Sequence, residues 1–194
     1  MNELNIMIVG VGGQGSLLAS KMIGTVAMNN SYDVKVSEVH GMAQRGGSVV
    51  TYVKLGKKID SPIIEEGEAD VIMSFEKLET LRWKQFLKPG GKFIVNDQRI
   101  DPMPVITGKA VYPLKSVESM VCSYKDDLIL VDALEIAKEL GNIRIVNMVL
   151  IGILAGITDI DKAQWLKALD EVVPPKFKNL NTEAFERGYN IKRG

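Results

Sequence analysis

Gly10-Val11-Gly12-Gly13-Gln14-Gly15 has the spacing G-x-G-x-x-G, and that spacing suits an anion cradle. Glycine lets a backbone approach a phosphate closely. A helix opening directly afterwards supplies N–H donors and positive potential. A nicotinamide site would add an acidic residue at the end of the next strand to bind ribose hydroxyls. Glu38 stands near that place, but the loop His40-Gly41-Met42-Ala43-Gln44-Arg45-Gly46-Gly47 follows at once. The second half of the dinucleotide fingerprint is therefore incomplete. A tight strand–helix turn that needs glycine only for packing has the same sequence, so the glycine loop alone leaves both readings open.

The second loop says more. His40, Gln44 and Arg45 stand between glycines just after a strand. They bring hydrogen-bonding and cationic groups to the carboxyl edge of a sheet, where open α/β folds bind ligands. The plainer alternative is a surface loop with an Arg–carboxylate pair. His40 is the only histidine of the chain, and its place between glycines favours function or an interface. The remaining candidates are weaker. Cys122 reads as a buried, inert thiol, since no histidine is close in sequence. Glu65-Glu66-Gly67-Glu68 reads as a solvated turn. Asn147, on an apolar helix, must find a buried partner and reads as a structural hydrogen-bonder. No paired carboxylates, metal-ligand cluster or Ser–His arrangement stands out for self-contained catalysis.

These residues need elements to hold them. Leu4 to Val9 is a short apolar run ending in glycine, as in a buried strand. Gly15 to Met28 carries a helical apolar stripe, and Val34 to Val39 alternates with period two. The sequence β–α–β predicts parallel pairing of the two strands through a right-handed crossover. Further strands are expected at Ser48–Leu55, Asp70–Ser74, Lys92–Asn96 and Gly108–Pro113. Helices are expected at Lys77–Leu87, stopped by Pro89-Gly90-Gly91, and at Asp132–Leu140, Ile145–Gly156, Ala163–Val172 and Thr182–Ile191. The reading is a three-layer α/β fold with a mostly parallel, Rossmann-like sheet and a helical C-terminal part, one domain over residues 1–194.

Composition narrows the function. The 194 residues hold 24 basic and 24 acidic side chains, 46% hydrophobic residues and one cysteine. Zero net charge argues against a nucleic-acid or anionic-membrane footprint. One cysteine excludes an internal disulfide and an iron–sulfur cluster held within this chain. The longest apolar run, Met148 to Ile157, is too short to span a bilayer, which takes about 20 residues. With no basic leader at the N-terminus, the expected location is the cytoplasm.

The two loops together, with Ile145-Val146-Asn147-Met148 and Asn181-Thr182-Glu183-Ala184-Phe185-Glu186-Arg187-Gly188, resemble the gamma-type subunits of 2-oxoacid:ferredoxin oxidoreductases. Among these the chain is most similar to the indolepyruvate-type members, and the resemblance runs over nearly its whole length. It implies a subunit of a complex that oxidatively decarboxylates arylpyruvates such as indolepyruvate to aryl-acetyl-CoA and CO2, passing electrons to ferredoxin. It implies that thiamine diphosphate and iron–sulfur clusters belong to a large partner subunit, that this chain alone binds no cofactor, and that coenzyme A is the co-substrate. On that basis Gly10, Gly12, Gly13, Gln14 and Gly15 would cradle a coenzyme A phosphate. His40, Gln44 and Arg45 would face the substrate entrance or the subunit interface. The resemblance assigns no catalytic residue and no metal ligand here. Three alternatives remain: the gamma subunit of a pyruvate or 2-oxoglutarate oxidoreductase, an NAD-dependent dehydrogenase, and a non-catalytic assembly scaffold.

Overall fold

The computed structural model describes residues 3–41 and 47–191. Six strands form one sheet: β1 (Leu4–Val11), β2 (Asp33–His40), β3 (Ser48–Gly56), β4 (Ala69–Ser74), β5 (Leu87–Asn96) and β6 (Leu128–Val131). Their order is β2-β3-β1-β4-β5-β6. β3 runs antiparallel to both β1 and β2, whereas β1, β4, β5 and β6 pair in parallel. Five strands therefore share one direction, and the expected mostly parallel sheet is found.

Helices cover both faces. On one face lie α1 (Ser16–Asn29), α5 (Ala133–Glu139), α6 (Val146–Ile157), α7 (Lys162–Val172) and α8 (Lys178–Tyr189). On the other lie α2 (Lys77–Trp83) and α4 (Leu114–Ser123), with the one-turn α3 (Met103–Ile106) between β5 and α4. Two buried faces explain the unbroken apolar run of β1. Ile6 and Ile8 join the core on the α1 side, and Met7 and Val9 the core on the α2 side. α6 is buried along nearly its whole length. It crosses α8 with Gly152 and Gly188 at the contact, so close that a Cβ on Gly188 would collide with the carbonyl oxygen of Val149. No described helix is long and apolar enough to cross a membrane.

Several local expectations are corrected. β1 and β2 point the same way but do not pair, because β3 is inserted between them. Residues 108–113 form no strand; the sheet's last strand is β6, after α4. The 77–87 helix gives way to a single 3₁₀ turn at Lys84–Phe86, and Pro89-Gly90-Gly91 lies inside β5 rather than ending a helix. The β4–β5 register shifts there. A Cβ on Gly91 would fall 3.0 Å from the carbonyl oxygens of Ala69 and Asp70, so the glycine marks a close approach of two backbones. Cys122 is exposed, not buried. Val117 and Met120 face inward on α4, and a residue two positions past Met120 points away from the core. The 65–68 turn is exposed, as expected, with Gly67 at φ +78°.

Candidate functional site at the carboxyl edge of the sheet

The glycine loop sits where β1 and β4 part. The Phe75 N–H still donates to the Val9 carbonyl at 2.9 Å. Beyond it the chain leaves β1 for α1 on one face and leaves β4 for α2 on the other. That divergence opens a crevice at the carboxyl ends of two parallel strands. Gln14 staples the loop across it: Val11 N–H donates to Gln14 Oε1 at 2.8 Å, and Gln14 Nε2 donates to the Phe75 carbonyl at 3.3 Å. Gly10 makes room for this staple, since a Cβ there would lie 2.7 Å from Gln14 Oε1. Gly13 and Gly15 take φ of +97° and +89°, which L side chains resist. Gly15 is the N-cap of α1, with no side chain capping it and no acidic residue in the first turn. The first N–H groups of a helix have no partner within it, so α1 offers them at the crevice.

The crevice is a cleft of about 440 Å³. Gly13, Gln14, Gly15 and Leu18 form one wall, Phe75 the floor, and Gln98 with Ile100 the side beyond β5. Ile143, Arg144 and Asn147, leading into α6, close the remaining side. Asn147 is buried; its Nδ2 donates to the Gly15 carbonyl at 3.4 Å and its Oδ1 accepts from Met148 N–H at 2.9 Å. The residue read as a structural hydrogen-bonder is that, and it also lines the cleft. Apolar walls with a few converging polar groups are the usual make-up of a small-molecule site.

The second loop is held against the first. The β2–β3 hairpin is in register from Asp33↔Gly56 to His40↔Val49. Gly41 N–H donates to the Ser48 carbonyl at 2.9 Å, and Gly12 N–H donates to the Gly47 carbonyl at 3.0 Å. The two sequence motifs are thus neighbours in space. His40 Nε2 lies 2.7 Å from Glu38 Oε1. The other oxygen of Glu38 accepts from Thr51 Oγ1 at 2.8 Å and Ser16 Oγ at 3.5 Å. Glu38 is engaged by its own strand, β3 and the first turn of α1, and it does not line the cleft. Gln44 and Arg45 lie outside the described residues.

Sequence reasoning missed a set of polar residues behind the cleft. Glu76, fully buried, caps α2: its Oε1 accepts from Glu79 N–H at 2.5 Å, while Oε2 is buried with no hydrogen-bond partner among the described residues. Burial pushes the Glu76 carboxyl above the usual range, against nearby backbone N–H groups and with the help of Glu79. Tyr112 has a buried hydroxyl, likewise without a partner among the described residues. Its phenol is pushed up to about 12, first by burial and then by the charge of Glu76, and the Arg99 guanidinium lies 4.2 Å over its ring. The one available signal was Glu76-x-x-Glu79 before an apolar stretch, a capping pattern. Among the described residues no group of three His, Cys, Asp or Glu is placed to hold a metal ion.

Comparisons with known proteins bear on the family and the fold. The family model described as "Pyruvate ferredoxin/flavodoxin oxidoreductase" matches residues 5–191. The chain is similar to indolepyruvate oxidoreductase subunit IorB of Thermococcus kodakarensis, 41% identical over 97% of this chain and 95% of that protein. It is less similar to 2-oxoglutarate synthase subunit KorC of Methanothermobacter thermautotrophicus, 31% identical over 96% of this chain and 93% of that one. In fold it is similar to the crystal structure of a keto/oxoacid ferredoxin oxidoreductase gamma subunit from Geobacter sulfurreducens. That likeness has a TM-score of 0.71 at 22% identity and covers 96% of both chains.

Proposed function

The chain belongs to the pyruvate ferredoxin/flavodoxin oxidoreductase family, and we propose that it is the small subunit of an indolepyruvate:ferredoxin oxidoreductase. The observation that carries this is the 41% identity to an indolepyruvate oxidoreductase subunit over nearly the full length, against 31% to a 2-oxoglutarate synthase subunit. The reaction converts an arylpyruvate and coenzyme A to aryl-acetyl-CoA and CO2, with two electrons passed to ferredoxin. Thiamine diphosphate, bound on a large partner subunit, would supply the decarboxylation chemistry. Iron–sulfur clusters belong there too, because the single cysteine of this chain cannot hold one.

The cleft is this chain's contribution. Uncapped N–H groups at the start of α1 and backbone bare of side chains at Gly13 and Gly15 suit an anionic group such as a coenzyme A phosphate. Arg144 adds a cation on the opposite wall. Gln14 holds the loop rather than the ligand, because both ends of its amide are already engaged. His40, Gln44 and Arg45 would serve the substrate entrance or the partner interface beside it. A nicotinamide dehydrogenase is disfavoured: Glu38, the acid that would bind ribose, has its oxygens taken by His40, Thr51 and Ser16.

The test is an anaerobic assay of this chain, its large partner and their mixture with indolepyruvate, coenzyme A and a viologen acceptor. Turnover is expected only from the mixture, with indolepyruvate preferred over pyruvate and 2-oxoglutarate. Turnover by this chain alone, or a preference for 2-oxoglutarate, would refute the proposal.

A further inference from the structure

Asn96, the last residue of β5, is fully buried, and backbone groups fix both ends of its side-chain amide. Ala133 N–H, which can only donate, gives to Asn96 Oδ1 at 3.0 Å. The Phe75 carbonyl, which can only accept, takes from Asn96 Nδ2 at 3.1 Å. The oxygen and nitrogen of Asn96 therefore cannot be exchanged. Its Nδ2 also donates to Gln98 Oε1 at 3.0 Å, and this orients a second amide. Gln98 turns its oxygen to Asn96 and is left with Nε2, which has no partner among the described residues. The Gln98 backbone is held too: its N–H donates to the Asn96 carbonyl at 2.7 Å, and its carbonyl accepts from Lys77 N–H at 3.1 Å. Gln98 lines the cleft, and what it can offer there is a donor.

The other polar groups of the cleft have the same polarity. Three amide side chains line it, and each oxygen already accepts: Gln14 Oε1 from Val11 N–H, Asn147 Oδ1 from Met148 N–H, and Gln98 Oε1 from Asn96. The Phe75 carbonyl accepts from Gln14 and Asn96, and the Gly15 carbonyl from Ala19 N–H and Asn147, so both lone pairs of each are engaged. Arg144, the one charged side chain lining the cleft among the described residues, makes no ion pair with any of them. The side chains thus leave N–H groups free and oxygens occupied. A ligand group rich in lone pairs and negatively charged satisfies them; an ammonium finds the side-chain acceptors taken. Donors on the glycine-loop wall, on the β5 side and at Arg144 approach from three directions. That arrangement suits a tetrahedral anion better than a planar carboxylate.

We propose that Gln98 is an anion-binding residue of the cleft, held by Asn96 with its N–H groups toward the ligand, and that the group it binds is a phosphate or pyrophosphate. This deepens the reading above that the cleft receives an anionic part of coenzyme A, and rests on it only for the source of the phosphate. The experiment is titration calorimetry of the full chain with inorganic pyrophosphate, coenzyme A and pantetheine, which lacks the phosphates. Pyrophosphate and coenzyme A should bind, and pantetheine should not. Gln98→Met keeps the length and removes the donor; it should weaken both anions about tenfold, the scale of one hydrogen bond to a charged group. Gln98→Glu keeps an oxygen for Asn96 and puts negative charge where the donor was. It should weaken binding further while melting with the parent chain. The Gln98 side-chain amide resonances, identified by their loss in Gln98→Met, should shift as pyrophosphate is added. Asn96→Ala should weaken pyrophosphate as well, but should add nothing in the Gln98→Met background.

Pyrophosphate that binds parent and Gln98→Glu equally, or does not bind the parent, would overturn the proposal. So would pantetheine binding as tightly as coenzyme A, since the apolar walls would then hold the ligand. Additive losses from Asn96→Ala would refute the positioning by Asn96; should that variant not fold, the half-buried Gln98 and its two substitutions still decide the site. Pyrophosphate held through Gln98 with no binding of coenzyme A would support the anion site and refute coenzyme A as its source.

Discussion

Gly13 and Gly15 lie two residues apart with nearly the same left-handed backbone, φ +97° and +89°, yet their surroundings differ. A Cβ on Gly13 would meet nothing within 4 Å, whereas one on Gly15 would lie 2.9 Å from Nδ2 of the buried Asn147. An alanine at either position pays for the left-handed conformation, about 1–2 kcal/mol. At Gly15 it must also push the Asn147 amide away and break its bond to the Gly15 carbonyl. A lost bond of that kind adds about 1 kcal/mol. Gly15→Ala should therefore cost about 2–3 kcal/mol, against about 1–2 for Gly13→Ala. For a domain stable by about 5–15 kcal/mol the difference is measurable. Urea unfolding of the isolated chain gives it directly, with the shift read in the midpoint at constant slope. In an Asn147→Ala background the extra cost at Gly15 should vanish, because the crowded amide is gone. Equal costs for the two alanines in the parent chain, or an unchanged penalty at Gly15 without Asn147, would refute the contact and with it the account of how α6 braces the glycine loop.

Two further predictions concern the core and the buried polar set. Gly188→Ala should destabilise by about 3 kcal/mol, at the upper end for overpacking, because α6 and α8 must separate to clear the Val149 carbonyl; a thermal melt by circular dichroism checks this, and a shift of only a few degrees would contradict it. Tyr112, raised from 10.0 to about 12, should be the last tyrosine to ionise in a tyrosinate absorbance titration, and Glu76→Gln should lower its midpoint. Since the folded value is the higher one, its contribution to stability is complete below pH 10 and is lost as pH rises through about 12. A Tyr112 that titrates together with the other tyrosines would show that its hydroxyl is not buried beside Glu76.

What the sequence made legible follows from how local each signal is. The apolar run of β1, the glycine loop and the stripe of α1 are contiguous, and each is found within two residues of its expected bounds. The expected β1–β2 pairing failed because nothing in a β–α–β pattern reports that the next strand will fold back between the two. β6 was missed because Leu128–Val131 is only four residues long, too short for periodicity to speak. Pro89-Gly90-Gly91 carries the composition of a helix stop, yet Gly91 is small because two strand backbones meet there. For the site, residue types pointed to Gly10–Gly15 and His40, and the two loops do meet through Gly12 and Gly47. The roles of Gln14, Glu38 and Asn96 come from partners up to 61 positions away in sequence. Such partners become visible only once the sheet order is known.

The central claim is that the cleft beside the glycine loop is where this chain serves the complex, by receiving an anionic part of coenzyme A. The most direct test is the ratio of two Michaelis constants measured on the assembled complex carrying Gly13→Ala, a change in the cleft wall whose added Cβ meets nothing within 4 Å in the chain itself. The constant for coenzyme A is expected to rise at least about tenfold, equivalent to ~1.4 kcal/mol, while that for the 2-oxoacid stays near its parent value and the subunit still assembles. Equal rises in both constants, or no change in either, would contradict the claim.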